Sequence, residues 1–193
     1  MLEKQEIMAN KHYAIGADIG GSHISCALID MQKMSILAES LVTVDVDNKA
    51  EATEILDTWA SALRPLLRRI EPGELAGIGF AMPGPFDYAK GIALFEGVPK
   101  YQKLFGFNVA SELRHRLKLE DETPVRFIND ATAFAIGESW MGKAKGLSRS
   151  MAITLGTGFG SAFLLDGVPV VEGSDVPKKR LCLAFAFPGR HRR

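Results

Sequence analysis

Apolar runs in the first 45 residues read as three strands, at 13–20, 23–30 and 34–44, joined by tight turns at Gly20-Gly21 and 31–33. Their short connections predict an antiparallel meander. The pattern then changes period. Over 50–70, Ile55, Leu56, Trp59, Leu63, Leu66, Leu67 and Ile70 recur on one broad helical face. Pro65 is expected to kink or split that helix, and Glu71-Pro-Gly73 to stop it. A buried strand follows at 75–81. The glycine- and proline-rich stretch 82–103 is long enough that it should be functional or carry a small hairpin. A helix is predicted over 107–119, capped by Asn108, with Val109, Leu113 and Leu117 on one face and Glu112 near its start. Then come a short strand at 125–128, a helix of small and apolar residues at 131–141 that should be buried, and a loop at 142–150. Strands at 150–155 and 159–165 form a hairpin, with Asp166-Gly167 as the next turn.

Two glycine-rich turns carry the candidate chemistry. Asp18-Ile-Gly-Gly-Ser22 ends the first strand, and Leu155-Gly-Thr-Gly158 ends a later one. Each follows an apolar run and precedes a second strand. Glycine lets backbone N–H groups reach phosphate oxygens with no Cβ in the way. Ser22 and Thr157 add hydroxyl donors, and Asp18 can hold Mg²⁺ through its water shell. Either turn alone reads more readily as a plain hairpin turn. Between them, Phe127-Ile-Asn-Asp-Ala131 ends a third apolar strand. Asp130 opens the next helix, where it can serve as an N-cap, and that role does not exclude one as a general base.

Asp18-Ile-Gly-Gly-Ser22, Pro83-Gly-Pro85, Asn129-Asp-Ala131 and Leu155-Gly-Thr-Gly-Phe-Gly160 occur in the order found in the ROK family. This family comprises bacterial sugar kinases and related repressors within the actin-like ATPase superfamily. The chain resembles it from about Tyr13 to Gly173. The resemblance implies an α/β fold: a ribonuclease-H-like N-terminal lobe with a mixed sheet, plus the first hairpin of a second lobe. It divides the chain into a flexible N-terminus at 1–12, the actin-like ATPase lobe at 13–149, an incomplete second lobe at 150–176 and an aberrant basic tail at 177–193.

The activity implied is glucokinase-like transfer of phosphate from ATP to a hexose or hexose derivative. Asp130 would be the catalytic base. Asn129, Gly84 and Asp130 would meet the sugar. Gly20, Gly21, Ser22, Gly156, Thr157 and Gly158 would flank the phosphates, and Asp18 would orient Mg²⁺ through water. Specificity residues are expected partly in Gly97-Val-Pro-Lys-Tyr-Gln-Lys103. Glu172 lies upstream of the family's sugar-binding Glu. The family's Gly-Glu-x-Gly-His segment and cysteine-rich zinc loop are not found, so no zinc site is expected and the chain reads as a truncated, impaired kinase. Two other readings stay open. One is a ROK-type transcriptional regulator lacking its DNA-binding domain, since only 12 residues precede Tyr13. The other is a non-catalytic sugar-binding remnant. A homodimer is compatible with the full-length form.

Composition narrows the classes further. Apolar content of 47% with 24% charged residues suits a soluble globular protein. No apolar run reaches the ~20 residues of a membrane helix, and residues 1–11 lack the apolar core of a signal peptide. No membrane partner is expected, and the cytoplasm is the default location. Cys26 and Cys182 make neither a disulfide framework nor a metal site. His12, His23 and His115 lack metal-ligand spacing, and Cys26 reads as a small core hydrophobe. Formal net charge is zero, but six of the 23 basic residues fall in 177–193, which hold no acid. The body is therefore acidic, which gives no support to a nucleic-acid partner.

Overall fold

The computed structural model describes residues 11–71, 73–155 and 159–171. They form two compact units that divide between Asn129 and Asp130.

The first unit is built on a mixed sheet. β1 (Tyr13–Ile19) and β2 (His23–Asp30) pair antiparallel around the Gly20–Ser22 turn. Alternation sends Ile15, Ala17 and Ile19 of β1, and Ile24, Cys26 and Leu28 of β2, into the core. β5 (Leu75–Met82) joins β1 in parallel, and β8 (Val125–Asn129) joins β5 in parallel. On the outer side β2 pairs with both β3 (Ser35–Ile36) and β4 (Val42–Asp45). The resulting order, β3-β2-β1-β5-β8, is the expected ribonuclease-H-like arrangement.

The strand expected at 34–44 is thus two short strands. Ser40 is the cause. Its buried hydroxyl accepts from the Leu28 N–H (3.1 Å) and donates to the Leu37 carbonyl (2.7 Å), so a side chain replaces the ladder there. Glu39 beside it is left-handed (φ 55°).

Helix α1 (Ala52–Leu67) covers this sheet with Ile55, Leu56, Trp59, Leu63 and Leu66, all at most 1% exposed. Burial of each such side chain is worth roughly 1.5–3 kcal/mol. The helix is not split at Pro65. That residue lies in the last turn, where its missing N–H forfeits a single bond, to the Ser61 carbonyl. Helix α2 (Val109–Leu117) has the predicted cap: the Asn108 side chain accepts from the Ser111 N–H at 2.9 Å.

The stretch after β5 does carry a hairpin, β6 (Phe86–Asp87) with β7 (Ile92–Ala93), then a 3-10 turn at Gln102–Leu104. Aromatic side chains pin it down. Phe86 meets Phe127 (5.1 Å between centroids) and Phe95 meets Tyr101 (5.9 Å). The Gly84–Pro85 peptide is cis.

The second unit joins helix α3 (Asp130–Trp140) to an antiparallel meander of β9 (Arg149–Leu155), β10 (Phe159–Leu165) and β11 (Val168–Val170). β11 escaped the sequence reading because three residues show no usable period. Asp166 and Gly167 are both left-handed (φ 49° and 78°), which matches the twist of the β10–β11 hairpin. Gly160 lets helix and strand approach: a Cβ there would lie 2.4 Å from Thr154 Oγ1 and 2.8 Å from Ala131 Cβ. Helix α3 is not buried throughout, as its composition suggested. Ala131 and Ala135 are buried, but Phe134 is 49% exposed.

Candidate functional site

The parallel strands β1, β5 and β8 bring Asp18, Met82 and Asn129 to their carboxyl ends. Asp18 is in register with Ala81, and Met82 with Asn129. Ligand sites in α/β sheets lie beyond such strand ends. Asp18 projects into solvent there and engages a further partner of its own.

Gly84 and Asn129, both expected at the sugar, meet at one residue that the sequence reading missed. The Asn129 amide nitrogen donates to the Tyr88 hydroxyl (3.4 Å), which donates to the Met82 carbonyl (3.2 Å). A Cβ on Gly84 would lie 3.4 Å from that hydroxyl. An aromatic four positions after Gly84 was the available signal, but no local rule gives it a partner.

The Gly20–Ser22 turn is tied on three sides. The Gly20 N–H donates to the His23 carbonyl at 2.9 Å, and the Val46 N–H to the Ser22 carbonyl at 2.8 Å. The Tyr101 hydroxyl donates to the Gly20 carbonyl at 2.6 Å, and the Asn48 side chain donates to the Gly21 carbonyl. Asn48 and Tyr101 are themselves joined, Tyr101 N–H to Asn48 carbonyl, at 3.0 Å. Tyr101 is fully buried, against the edge of Trp59 (5.3 Å, 68°). Burial pushes its phenol up to about 12, with the Trp59 indole acting in the opposite sense. Ser22 is exposed, its hydroxyl 3.3 Å from His23 Nδ1. His23 is half-buried, as expected for a packed strand residue.

Asp130 belongs to the second unit and follows Asn129 directly in the chain. It is exposed and opens helix α3, and its Oδ1 accepts from the Ala131 N–H at 2.8 Å. Gly156, Thr157, Gly158 and Glu172 lie outside the described residues, as does the tail 177–193. Among the described residues, no group of three His, Cys, Asp or Glu is placed to hold a metal ion. A groove of about 610 Å³ in the second unit, lined by Trp140, Leu147 and Asp166 among others, contains none of the expected site residues. Cys26 is a core residue: its thiol donates to the Ala62 carbonyl (3.3 Å), and burial pushes it up to about 11.

A profile of the ROK family matches residues 14–175. The chain belongs to the ROK family. Among its relatives, the glucokinase of Thermotoga maritima is 29% identical over 79% of this chain and 44% of its own length. The N-acetyl-D-glucosamine kinase of Haemophilus influenzae is 27% identical over 79% of this chain and 46% of its own. The solved inorganic polyphosphate/ATP-glucomannokinase of an Arthrobacter species is 28% identical and superposes with a TM-score of 0.66, over 88% of this chain and 62% of that one. The fold of this ROK chain is therefore that of the actin-like ATPases. The chain spans about half the length of the curated relatives it matches.

Proposed function

We propose that this chain supplies the sugar-binding and phosphate-binding lobe of an ATP-dependent ROK sugar kinase acting on a hexose or hexose derivative. The observation that carries this reading is the Gly20–Ser22 turn. Its Gly20 and Gly21 carbonyls are anchored on Tyr101 and Asn48, so the Gly21 and Ser22 amides stay available to an anion. The relatives are named as kinases of glucose and N-acetylglucosamine, which sets the substrate class to try first.

The donor set fits the groups the family implies. Asp18 offers an exposed carboxylate beside the phosphate turn, suited to Mg²⁺ that keeps most of its water. When bound, Mg-ATP supplies the phosphoryl group and neutralises its developing charge. Asn129 offers a donor and an acceptor to sugar hydroxyls, held in place by Tyr88. Gly84 keeps the backbone clear on the same side. Asp130 takes the proton of the attacking hydroxyl, so that the sugar oxygen becomes the nucleophile. The motif assigns Gly156, Thr157 and Gly158 to the phosphates as well. In this reading residues 13–149 form the first lobe and 150–176 begin the second.

Because the chain spans about half the length of its relatives, the test is a coupled assay of this lobe within a chain of the relatives' length, with ATP and a panel of glucose, mannose and N-acetylglucosamine. Sugar-dependent ADP formation with one or more of them is the expected result. ADP formation that is indifferent to every sugar, or none with any, would contradict it.

A further inference from the structure

The segment 97–103, expected to select the sugar, sends two of its residues to the phosphate turn instead. Tyr101 holds the Gly20 carbonyl. Lys100 lies across Gly21: a Cβ built there would be 2.4 Å from its Nζ and 2.7 Å from its Cε. An ammonium group therefore rests on the backbone of the turn, where Gly21 has no side chain to displace it. Lys100 also engages a further partner, as Asp18 does.

The peptide planes set the direction of the amides. In a trans peptide the carbonyl and the following N–H point to opposite sides. The Gly20 carbonyl is drawn inward to Tyr101, so the Gly21 N–H faces the other way. The Gly21 carbonyl is drawn to Asn48, so the Ser22 N–H does the same. Among the described residues neither N–H has a protein acceptor, unlike the Gly20 N–H, which is spent on His23. Two outward N–H groups, the Ser22 hydroxyl and one ammonium thus belong to the same turn. Every one of them is a donor suited to a phosphate oxygen.

We infer that Lys100 is a phosphate ligand of this turn, and that Tyr101 and Asn48 are the positioning residues that aim the Gly21 and Ser22 amides at the same anion. This rests on the kinase reading above, because it assumes that a phosphate chain is what the turn receives. Lysine binds phosphate as a compact point charge and needs no fixed fork geometry, which suits a side chain lying flat on a turn. Gly21 has a second reason to be glycine: a side chain there would displace the lysine.

The test uses inorganic tripolyphosphate as the probe, titrated into the ¹⁵N-labelled chain and followed at the Gly21 and Ser22 amides. The parent is expected to show saturable shifts at both. Lys100→Met and Lys100→Gln should each weaken binding about tenfold or more, the scale of one charge-assisted contact, and Lys100→Arg should restore most of it. Tyr101→Phe should move the Gly21 amide signal before any ligand is added. Two neutral variants guard against one of them failing to fold, and each is checked by its thermal melt. Parent-like affinity in a folded neutral variant overturns the role of Lys100 while leaving the kinase reading intact. Absence of any shift at Gly21 and Ser22 in the parent overturns both.

Discussion

Tyr101→Phe isolates a single hydrogen bond between two distant parts of the chain. The ring stays, and with it the edge contact to Trp59 and the tilted contact to Phe95, so the packing loss is close to nothing. What goes is the 2.6 Å bond to the Gly20 carbonyl. A hydrogen bond of this kind contributes about 0.5–1.5 kcal/mol net, and an acceptor left dry costs about 1–3 kcal/mol. Gly20 is half-buried, so water reaches its carbonyl in part, and about 1–2 kcal/mol is the expected cost. With a urea m-value of about 2 kcal/mol per M, the middle of the range for small proteins, the midpoint should fall by roughly 0.5–1 M. Trp59 fluorescence reports the transition, since the indole sits on the mutated ring. The Gly21 amide resonance should also shift, because its peptide plane has lost an anchor. A midpoint and an amide shift both equal to the parent's would refute the view that Tyr101 holds the turn.

Other consequences follow from the same packing. Gly91 is buried with φ +70°, and a Cβ there would meet Ala110 Cβ at 2.7 Å and the Phe127 ring at 3.0 Å. Gly91→Ala should therefore cost about 2–4 kcal/mol, combining overpacking with left-handed strain, and thermal melting that matches the parent would contradict it. Cys26 and Tyr101 both have acid groups raised above their ordinary values, to about 11 and about 12. Each therefore favours the fold while neutral: the stability is fully present below the unfolded-state values near 9 and 10 and is lost as pH rises through about 9 to 12. Urea midpoints at about pH 8 and pH 11 should differ, and Tyr101→Phe should shrink the difference; equal midpoints in the parent would count against both burials.

What could be read from the chain and what could not divides along local and distant contacts. The strand alternation in 13–30, the α1 face from Ile55 to Leu66 and the Asn108 cap are all written within a few residues, and each was legible. Ser40 was not, because its hydroxyl breaks the ladder by reaching Leu28, on the neighbouring strand. Pro65 misled because its cost depends on the distance to the helix end, and that end is set by tertiary packing. At the candidate site, Asp18, Gly20, Gly21, Ser22, Gly84, Asn129 and Asp130 were named from motifs. Asn48 and Tyr88 were not, and Lys100 and Tyr101 entered only within the segment expected to select the sugar, although all four hold or overlie those residues. Tyr101 bonds to a residue 81 positions away, and no spacing rule reaches that far.

The central claim is that Asp130 activates a sugar hydroxyl for attack on phosphate. Steady-state kinetics of Asp130→Asn in a chain of the relatives' length, with the sugar that the panel selects and saturating ATP, test it most directly. Loss of a general base should lower kcat by about 100-fold or more, while sugar affinity changes by less than about threefold, because the amide keeps the carboxylate's shape and one acceptor. Near-normal kcat in Asp130→Asn would contradict the assignment.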